Sequence, residues 1–108
     1  TCIRDYIHVT DLAKAHVLAF EKLREGSKEI TLNLGNGTGY SVREVVEMVR
    51  KVTGIDVKAD PAPRRAGDPA QLVASSERAI KELQWKPEFA SLEDIVSTAW
   101  AFHKKHFG

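Results

Sequence analysis

Residues 6–26, with the sequence YIHVTDLAKAHVLAFEKLREG, decide the fold class of this chain. The run Tyr6–Val9 is β-prone, and Thr10 directly after it predicts the N-cap of a helix. Gly26 predicts the end of that helix. Its apolar residues are spaced for one helical face; they are Leu12, Ala15, Val17, Leu18, Phe20 and Leu23. A strand followed at once by an amphipathic helix is typical of α/β architecture.

The rest of the chain repeats this alternation of short strands and helices. Three further strands are expected, at residues 29–34, 55–59 and 72–74. Three further helices are expected, from near Ser41 to Gly54, from Ser76 to Leu83, and from Ser91 through Phe102. Two of these helices open with a capping box, Ser41 with Glu44 and Ser91 with Asp94. The predicted fold class is α/β, in the form of a small mixed α/β lobe.

Length and composition bound the classes of function. With 108 residues the chain has room for one domain, and 43% hydrophobic and 29% charged residues are ordinary for a globular domain. A net charge of +1 and the lack of a basic stripe argue against nucleic acid or an anionic membrane as a partner. No apolar run reaches the ~20 residues of a membrane span, and the first residues lack the order of a signal peptide.

The cysteine content and the first residue bear on cellular context. Cys2 is the single cysteine, so an internal disulfide is excluded, and no cysteine–histidine spacing fits zinc. A cytoplasmic location fits this composition best. Thr1 has no methionine before it and the chain opens at once into strand-like residues, so we expect the sequence to continue upstream.

The loop at residues 63–69, PRRAGDP, is the strongest candidate for ligand binding. Proline at both ends and glycine in the middle restrict its backbone. The loop therefore loses little conformational entropy when its charged side chains bind a ligand. A guanidinium such as that of Arg65 matches phosphate oxygens, and the carboxylate of Asp68 suits ribose hydroxyls. The loop therefore predicts a clamp for a nucleoside diphosphate. The alternative is an ordinary solvated connection.

A glycine-rich turn at residues 35–39, GNGTG, lies between an expected strand and an expected helix, where dinucleotide-binding loops occur. Asp56 follows about 20 residues later, as that fingerprint requires. The fingerprint also needs a third glycine, however, at the position that Tyr40 occupies. We therefore interpret the segment as a Gly/Asn turn before a capped helix, without a cofactor.

No catalytic set is recognisable in the sequence. The four histidines have no nucleophile and acid arranged around them, and His103 and His106 lack further metal ligands nearby. The Tyr-x-x-x-Lys dyad of acid–base chemistry is absent, because the residues four places after Tyr6 and Tyr40 are threonine and glutamate. We expect neither a catalytic residue nor a metal site in this chain.

Two remaining features have structural interpretations. Arg4 and Asp5 are adjacent and oppositely charged, which taken alone predicts a surface ion pair of little energetic weight. Trp85 and Trp100 lie near the ends of expected helices and are interpreted as hydrophobic anchors.

Five short motifs occur in order along nearly the whole chain: RDYIHV at 4–9, DLA at 11–13, NLG at 33–35, PRRAGDP at 63–69 and WKP at 85–87. Together they resemble the C-terminal part of the UDP-glucose 4-epimerase family, within the extended short-chain dehydrogenases. The first motif is shared by many extended short-chain dehydrogenases that act on sugar nucleotides. The arginine loop and the Trp-Lys-Pro that follows it are more specific for the epimerases.

The resemblance implies that four residues bind a UDP-hexose substrate. Arg4 and Arg65 would hold the pyrophosphate, and Asp68 would accept hydrogen bonds from the ribose hydroxyls. Leu72 falls where the family has a residue whose bulk affects tolerance of an N-acetyl group on the sugar.

The resemblance also implies what lies outside residues 1–108. Residues 1–108 would form a single substrate-binding lobe, inactive by itself. NAD binding and the Tyr-x-x-x-Lys dyad would belong to an N-terminal Rossmann domain. The parent enzyme would be a homodimer that interconverts UDP-galactose and UDP-glucose by oxidation and re-reduction at C4. Two alternatives stay open: another NAD-dependent nucleotide-sugar enzyme, such as a decarboxylase or dehydratase, and a non-catalytic module that binds a nucleotide or a protein.

Overall fold

The structure is a computed structural model and describes residues 2–26, 29–63 and 65–108. Its elements in chain order are β1 (Ile3–Arg4), α1 (Val9–Arg24), β2 (Tyr40–Ser41), α2 (Val42–Thr53), β3 (Gln71–Leu72), α3 (Glu77–Leu83) and α4 (Leu92–Phe107). The strands form a small sheet in the order β2-β1-β3, with β1 antiparallel to β2 and parallel to β3. The predicted mixed α/β fold is confirmed.

Two helices begin where their capping residues predict. The Ser41 hydroxyl accepts from the Glu44 amide at 3.0 Å, and the Glu44 carboxylate accepts from the Ser41 amide at 3.0 Å. The Ser91 hydroxyl accepts from the Asp94 amide at 3.2 Å at the start of α4. Gly54 ends α2 with a φ of 71°, in the left-handed region that favours glycine.

The start of α1 differs from the prediction, because His8 rather than Thr10 caps the helix. The His8 ring accepts from the Thr10 amide at its Nδ1 atom, over 3.0 Å, and its Nε2 atom lies 2.8 Å from Thr98 Oγ1 in α4. This cap starts the helix at Val9, so the predicted strand Tyr6–Val9 is wrong. The strand of this part of the chain lies earlier, at β1.

Two further strand predictions are wrong. Residues 29–34 and 55–59 belong to no strand, because neither segment has a ladder partner among the described residues. The third predicted strand is confirmed near its expected place, as β3, where it pairs with β1. Sequence periodicity indicates which side of a segment is buried, but it does not show whether a partner strand is present.

The core lies between α1 and α3. Its buried residues are Ala15, Ala79, Leu83 and Trp85. Half-buried apolar side chains pack against them, among them Leu32 and Leu34 of the segment before the glycine turn. Trp85 is 1% exposed, which confirms its interpretation as a hydrophobic anchor.

A second apolar stripe on α1 faces away from this core. Val9, Val17, Phe20 and Leu23 are 73%, 57%, 63% and 43% exposed. At 3.6 residues per turn these four residues fall within a sector of about 120° on the side away from Ala15. The predicted single apolar face is therefore wrong, since spacing alone did not separate two stripes of the same helix.

The His8 cap makes a prediction about stability. His8→Ala is expected to be less stable than His8→Asn by about 0.5–2 kcal/mol, because asparagine keeps a side-chain acceptor for the helix amide. Both variants lose the contact with Thr98 and the stacking on Phe89, whose ring centroid lies 4.5 Å from that of His8. Chemical denaturation measures the difference, and equal stabilities would contradict the capping role.

Candidate functional site

A cleft of about 670 Å³ lies between α2 and the chain that leads into the arginine loop. Side chains of α2, among them Val46 and Arg50, form one wall. Residues 59–63 and the loop residues Arg65 and Asp68 form the other wall. A cleft of this volume suits a small-molecule ligand.

Arg65 and Asp68, two of the four predicted substrate residues, are brought together in this cleft. Arg65 Nε donates to Asp68 Oδ2 at 2.9 Å, and the two side chains are 85% and 31% exposed. Gly67 between them has a φ of 86°, which glycine adopts without strain and which bends the loop. An exposed pair of this kind is weak, so Arg65 can exchange its partner for a ligand at little cost. Arg64, the neighbouring guanidinium, lies outside the described residues.

Arg4 and Leu72, the other two predicted substrate residues, are register partners on β1 and β3. Register partners on adjacent strands project from the same face of a sheet, and Cys2 lies two residues before Arg4, next to the start of β1. Cys2 lines the cleft, whereas Arg4 and Leu72 do not. The structure thus forms two neighbouring pairs of predicted residues, one in the cleft and one on the sheet face that continues from it.

Asp5 binds backbone amides, and the predicted ion pair between Arg4 and Asp5 is wrong for the described residues. Its Oδ1 atom accepts from the Asn36 amide at 2.9 Å, and Oδ2 accepts from the amides of Gly37 at 3.0 Å and Ala74 at 3.3 Å. The carboxylate therefore ties the end of β1 to the glycine turn and to the chain after β3. Arg4 Nη1 donates to the Ile3 carbonyl at 2.8 Å, which leaves its charge available to a ligand.

Close packing explains the glycines of the turn. A Cβ atom on Gly35 would lie 2.5 Å from Asp5 Oδ2, and one on Gly39 would overlap the Ile3 side chain. Gly37 has a φ of 76°, in agreement with the interpretation as a turn with left-handed backbone angles. The amides of Asn36 and Gly37 both donate to Asp5, so neither is available to a phosphate oxygen.

The packing of Gly35 can be tested by substitution. Gly35→Ala is expected to lower the free energy of unfolding by about 1–3 kcal/mol, the usual cost of overpacking. Thr38→Ala, at an exposed position of the same turn, is expected to change it by less than about 0.5 kcal/mol. Denaturant titration of both variants measures the free energy of unfolding. Equally small decreases in the two variants would contradict the close packing of Gly35.

Two of the recognised motifs, DLA at 11–13 and WKP at 85–87, contact each other rather than the cleft. Asp11 is fully buried, and its carboxylate accepts from the amides of Glu88 at 2.9 Å and Phe89 at 3.0 Å. Its carbonyl accepts from the indole N–H of Trp85 at 2.8 Å. These contacts fasten the chain after α3 to the first turn of α1, so both motifs serve the fold.

Arg50 is a cleft residue that sequence reasoning missed. It lies on the cleft wall with Val42, Val46 and Glu47. Their spacing of three to four residues places them on one face of α2, a signal that becomes useful once the position of the cleft is known.

Other kinds of site were sought in the part of the chain that the structure describes. There, no group of three histidine, cysteine or acidic side chains is placed to hold a metal ion. None of the helices in these residues has the length and apolar character needed to cross a membrane.

Comparison with known proteins settles the family. Residues 1–99 match the family model described as GDP-mannose 4,6 dehydratase. The chain belongs to this family. The predicted membership in the extended short-chain dehydrogenases is thereby confirmed.

Individual relatives and structures agree with this assignment. The chain is 57% identical to a UDP-glucose 4-epimerase of Halalkalibacterium halodurans, over 98% of the chain and 32% of the relative. A crystal structure of a UDP-glucose 4-epimerase matches with a TM-score of 0.91 and 51% identity, over 98% of this chain and 32% of that one. An epimerase from Stenotrophomonas maltophila with bound NAD and formylated UDP-arabinopyranose matches with a TM-score of 0.88 and 43% identity, over 97% of this chain and 31% of that one.

These matches confirm the resemblance to the C-terminal part of the epimerases. The chain spans about one third of the length of the relatives it matches.

Proposed function

We propose that this chain is the UDP-holding lobe of an NAD-dependent UDP-glucose 4-epimerase, which interconverts UDP-galactose and UDP-glucose. The observation that carries the proposal is the Arg65–Asp68 pair in a cleft of ligand size. The 57% identity to a UDP-glucose 4-epimerase supports the choice of reaction. Residues 1–108 form a single lobe, and the NAD-binding Rossmann domain precedes it.

The proposed roles follow from the charge and position of the four residues. Arg65 exchanges Asp68 for a phosphate oxygen, and the Asp68 carboxylate accepts from the ribose hydroxyls. Arg4 adds a second guanidinium to the pyrophosphate from the adjacent sheet face. Leu72 is the register partner of Arg4, so a sugar attached to the pyrophosphate lies close to it.

This division of contacts suits epimerisation at C4. The reaction requires that the oxidised sugar turn over between the loss of hydride from one face and its return to the other. Binding energy must therefore come from the nucleotide, which does not react, while contacts to the sugar stay weak. Arg4, Arg65 and Asp68 bind the nucleotide, and Leu72 offers the sugar an apolar surface without a hydrogen bond.

The remainder of the parent enzyme is proposed as the partner of the second apolar stripe on α1. The stripe consists of Val9, Val17, Phe20 and Leu23, and apolar area of this kind is normally covered. Residues 29–34 support the same proposal, because their backbone has no hydrogen-bond partner among the described residues. We propose further that the parent enzyme is cytoplasmic and forms a homodimer; sedimentation of the full-length protein tests the dimer.

An activity assay tests the proposed function. The full-length enzyme is expected to convert UDP-galactose to UDP-glucose in the presence of NAD, and this chain alone is expected to show no turnover. Turnover by the chain alone would contradict its role as an inactive lobe. If the folded full-length enzyme does not interconvert UDP-galactose and UDP-glucose, the proposed reaction is contradicted.

A dehydratase is the second candidate, because the matching family model is described as GDP-mannose 4,6 dehydratase. Product analysis separates the two. An epimerase yields a mixture of two hexoses that differ at C4, whereas a dehydratase accumulates a product that has lost water.

A further inference from the structure

The cleft wall opposite α2 has little support of its own. Residues 58–63 are all exposed, so burial contributes little to holding this segment in place. Near its start, the described hydrogen bonds other than those from Arg50 are local: the Ile55 amide donates to Thr53 Oγ1, and the Val57 amide donates to the Ile55 carbonyl. Something else must set its distance from α2.

Arg50 joins this segment to α2. Its Nε and Nη2 atoms both donate to the Val57 carbonyl, at 3.0 and 2.6 Å, and Nη1 donates to Glu47 at 2.7 Å. The Arg50 side chain is 35% exposed, so these bonds are partly sheltered from water. A rigid fork of donors on one acceptor fixes direction as well as distance, which a lysine ammonium does not do.

The position of this contact relates it to the cleft. Arg50 lies on the α2 wall, and Val57 comes two residues before the opposite wall begins at Ala59. The bond between them therefore fixes the separation of the two walls at one end. The same segment continues into the loop that carries Arg65 and Asp68.

We propose that Arg50 is a positioning residue for the nucleotide. It holds the two walls of the cleft at the separation at which Arg65 and Asp68 meet a nucleoside diphosphate sugar. Three of its five N–H groups donate to Val57 and Glu47, and its proposed effect comes from the bonds that hold the wall rather than from contact with the ligand. This inference rests on the proposed function of the cleft.

The bonds to Val57 carry this role, and the ion pairs of Arg50 do not. Glu47 is 63% exposed, and an exposed pair at this spacing contributes little. Asp56 Oδ1 lies 4.0 Å from Arg50 Nε, and the Asp56 side chain is 95% exposed. Asp56→Asn, at a position outside the cleft lining, is therefore expected to leave UDP affinity within about twofold of wild type.

Calorimetric titration of UDP into the full-length enzyme tests the proposal. Arg50→Gln is expected to raise the Kd of UDP and the KM for UDP-galactose by about 5–30-fold, with kcat changed by less than about twofold. Arg50→Lys keeps the charge but has a single donor nitrogen in place of the planar fork, so an intermediate Kd is expected. The matched control is Arg78→Gln, which removes an arginine paired with Glu82 on α3, away from the cleft, and is expected to leave Kd unchanged.

A double-mutant cycle with Arg65→Ala separates positioning from general stabilisation. If Arg50 acts through Arg65, the double variant loses less affinity than the product of the two single losses. Independent, multiplicative losses would overturn the proposal, as would an unchanged Kd in Arg50→Gln while Arg65→Ala weakens binding. If Arg65→Ala itself leaves Kd unchanged, the proposed function of the cleft fails instead.

Discussion

Replacing Asp11 by alanine is expected to lower the free energy of unfolding by about 4 kcal/mol. The Asp11 carboxylate is fully buried and accepts from the amides of Glu88 and Phe89. Alanine leaves both amides without their acceptor, at roughly 1–3 kcal/mol each. Denaturant unfolding followed by tryptophan fluorescence, to which the buried Trp85 contributes, measures the loss.

Asp94→Ala is a matched control for this substitution. Asp94 occupies the same position of α4 as Asp11 does of α1, three residues after the capping residue, but it is exposed. Its replacement removes only the interaction of the charge with the helix dipole, about 0.3–1 kcal/mol. Similar losses in the two variants would contradict the structural role of Asp11.

In the full-length enzyme, Arg65→Ala is expected to weaken UDP binding by about 1.5–3 kcal/mol, which corresponds to roughly 10–150-fold in Kd. The reason is the loss of a charge-assisted hydrogen bond to a phosphate oxygen. The Arg65 side chain is 85% exposed, so the variant is expected to fold as the wild type does. Titration calorimetry gives the Kd, and an unchanged value would show that Arg65 does not contact phosphate.

Local sequence signals predicted the helices better than the strands. The pairs Ser41–Glu44 and Ser91–Asp94 located two helix starts, because a cap depends on residues three positions apart. The strand predictions at 29–34 and 55–59 were wrong, because a strand needs a partner strand, which local sequence does not reveal. The prediction placed the N-cap of α1 at Thr10 and not at His8, because histidine is not among the preferred capping residues.

The same contrast holds for the candidate site. Arg65 and Asp68 were predicted together because one short loop carries both, and the structure pairs them. The adjacency of Arg4 and Leu72 depends on the register of two strands far apart in sequence. Arg50 was missed because its acceptor is a backbone carbonyl, which every residue possesses and which only the folded segment brings within reach.

A structure of the full-length enzyme with bound UDP tests the central claim most directly. The account predicts phosphate oxygens within about 3.2 Å of guanidinium nitrogens of Arg4 and Arg65, and a ribose hydroxyl donating to Asp68. UDP bound away from the cleft between α2 and the wall of residues 59–63, Arg65 and Asp68 would contradict it.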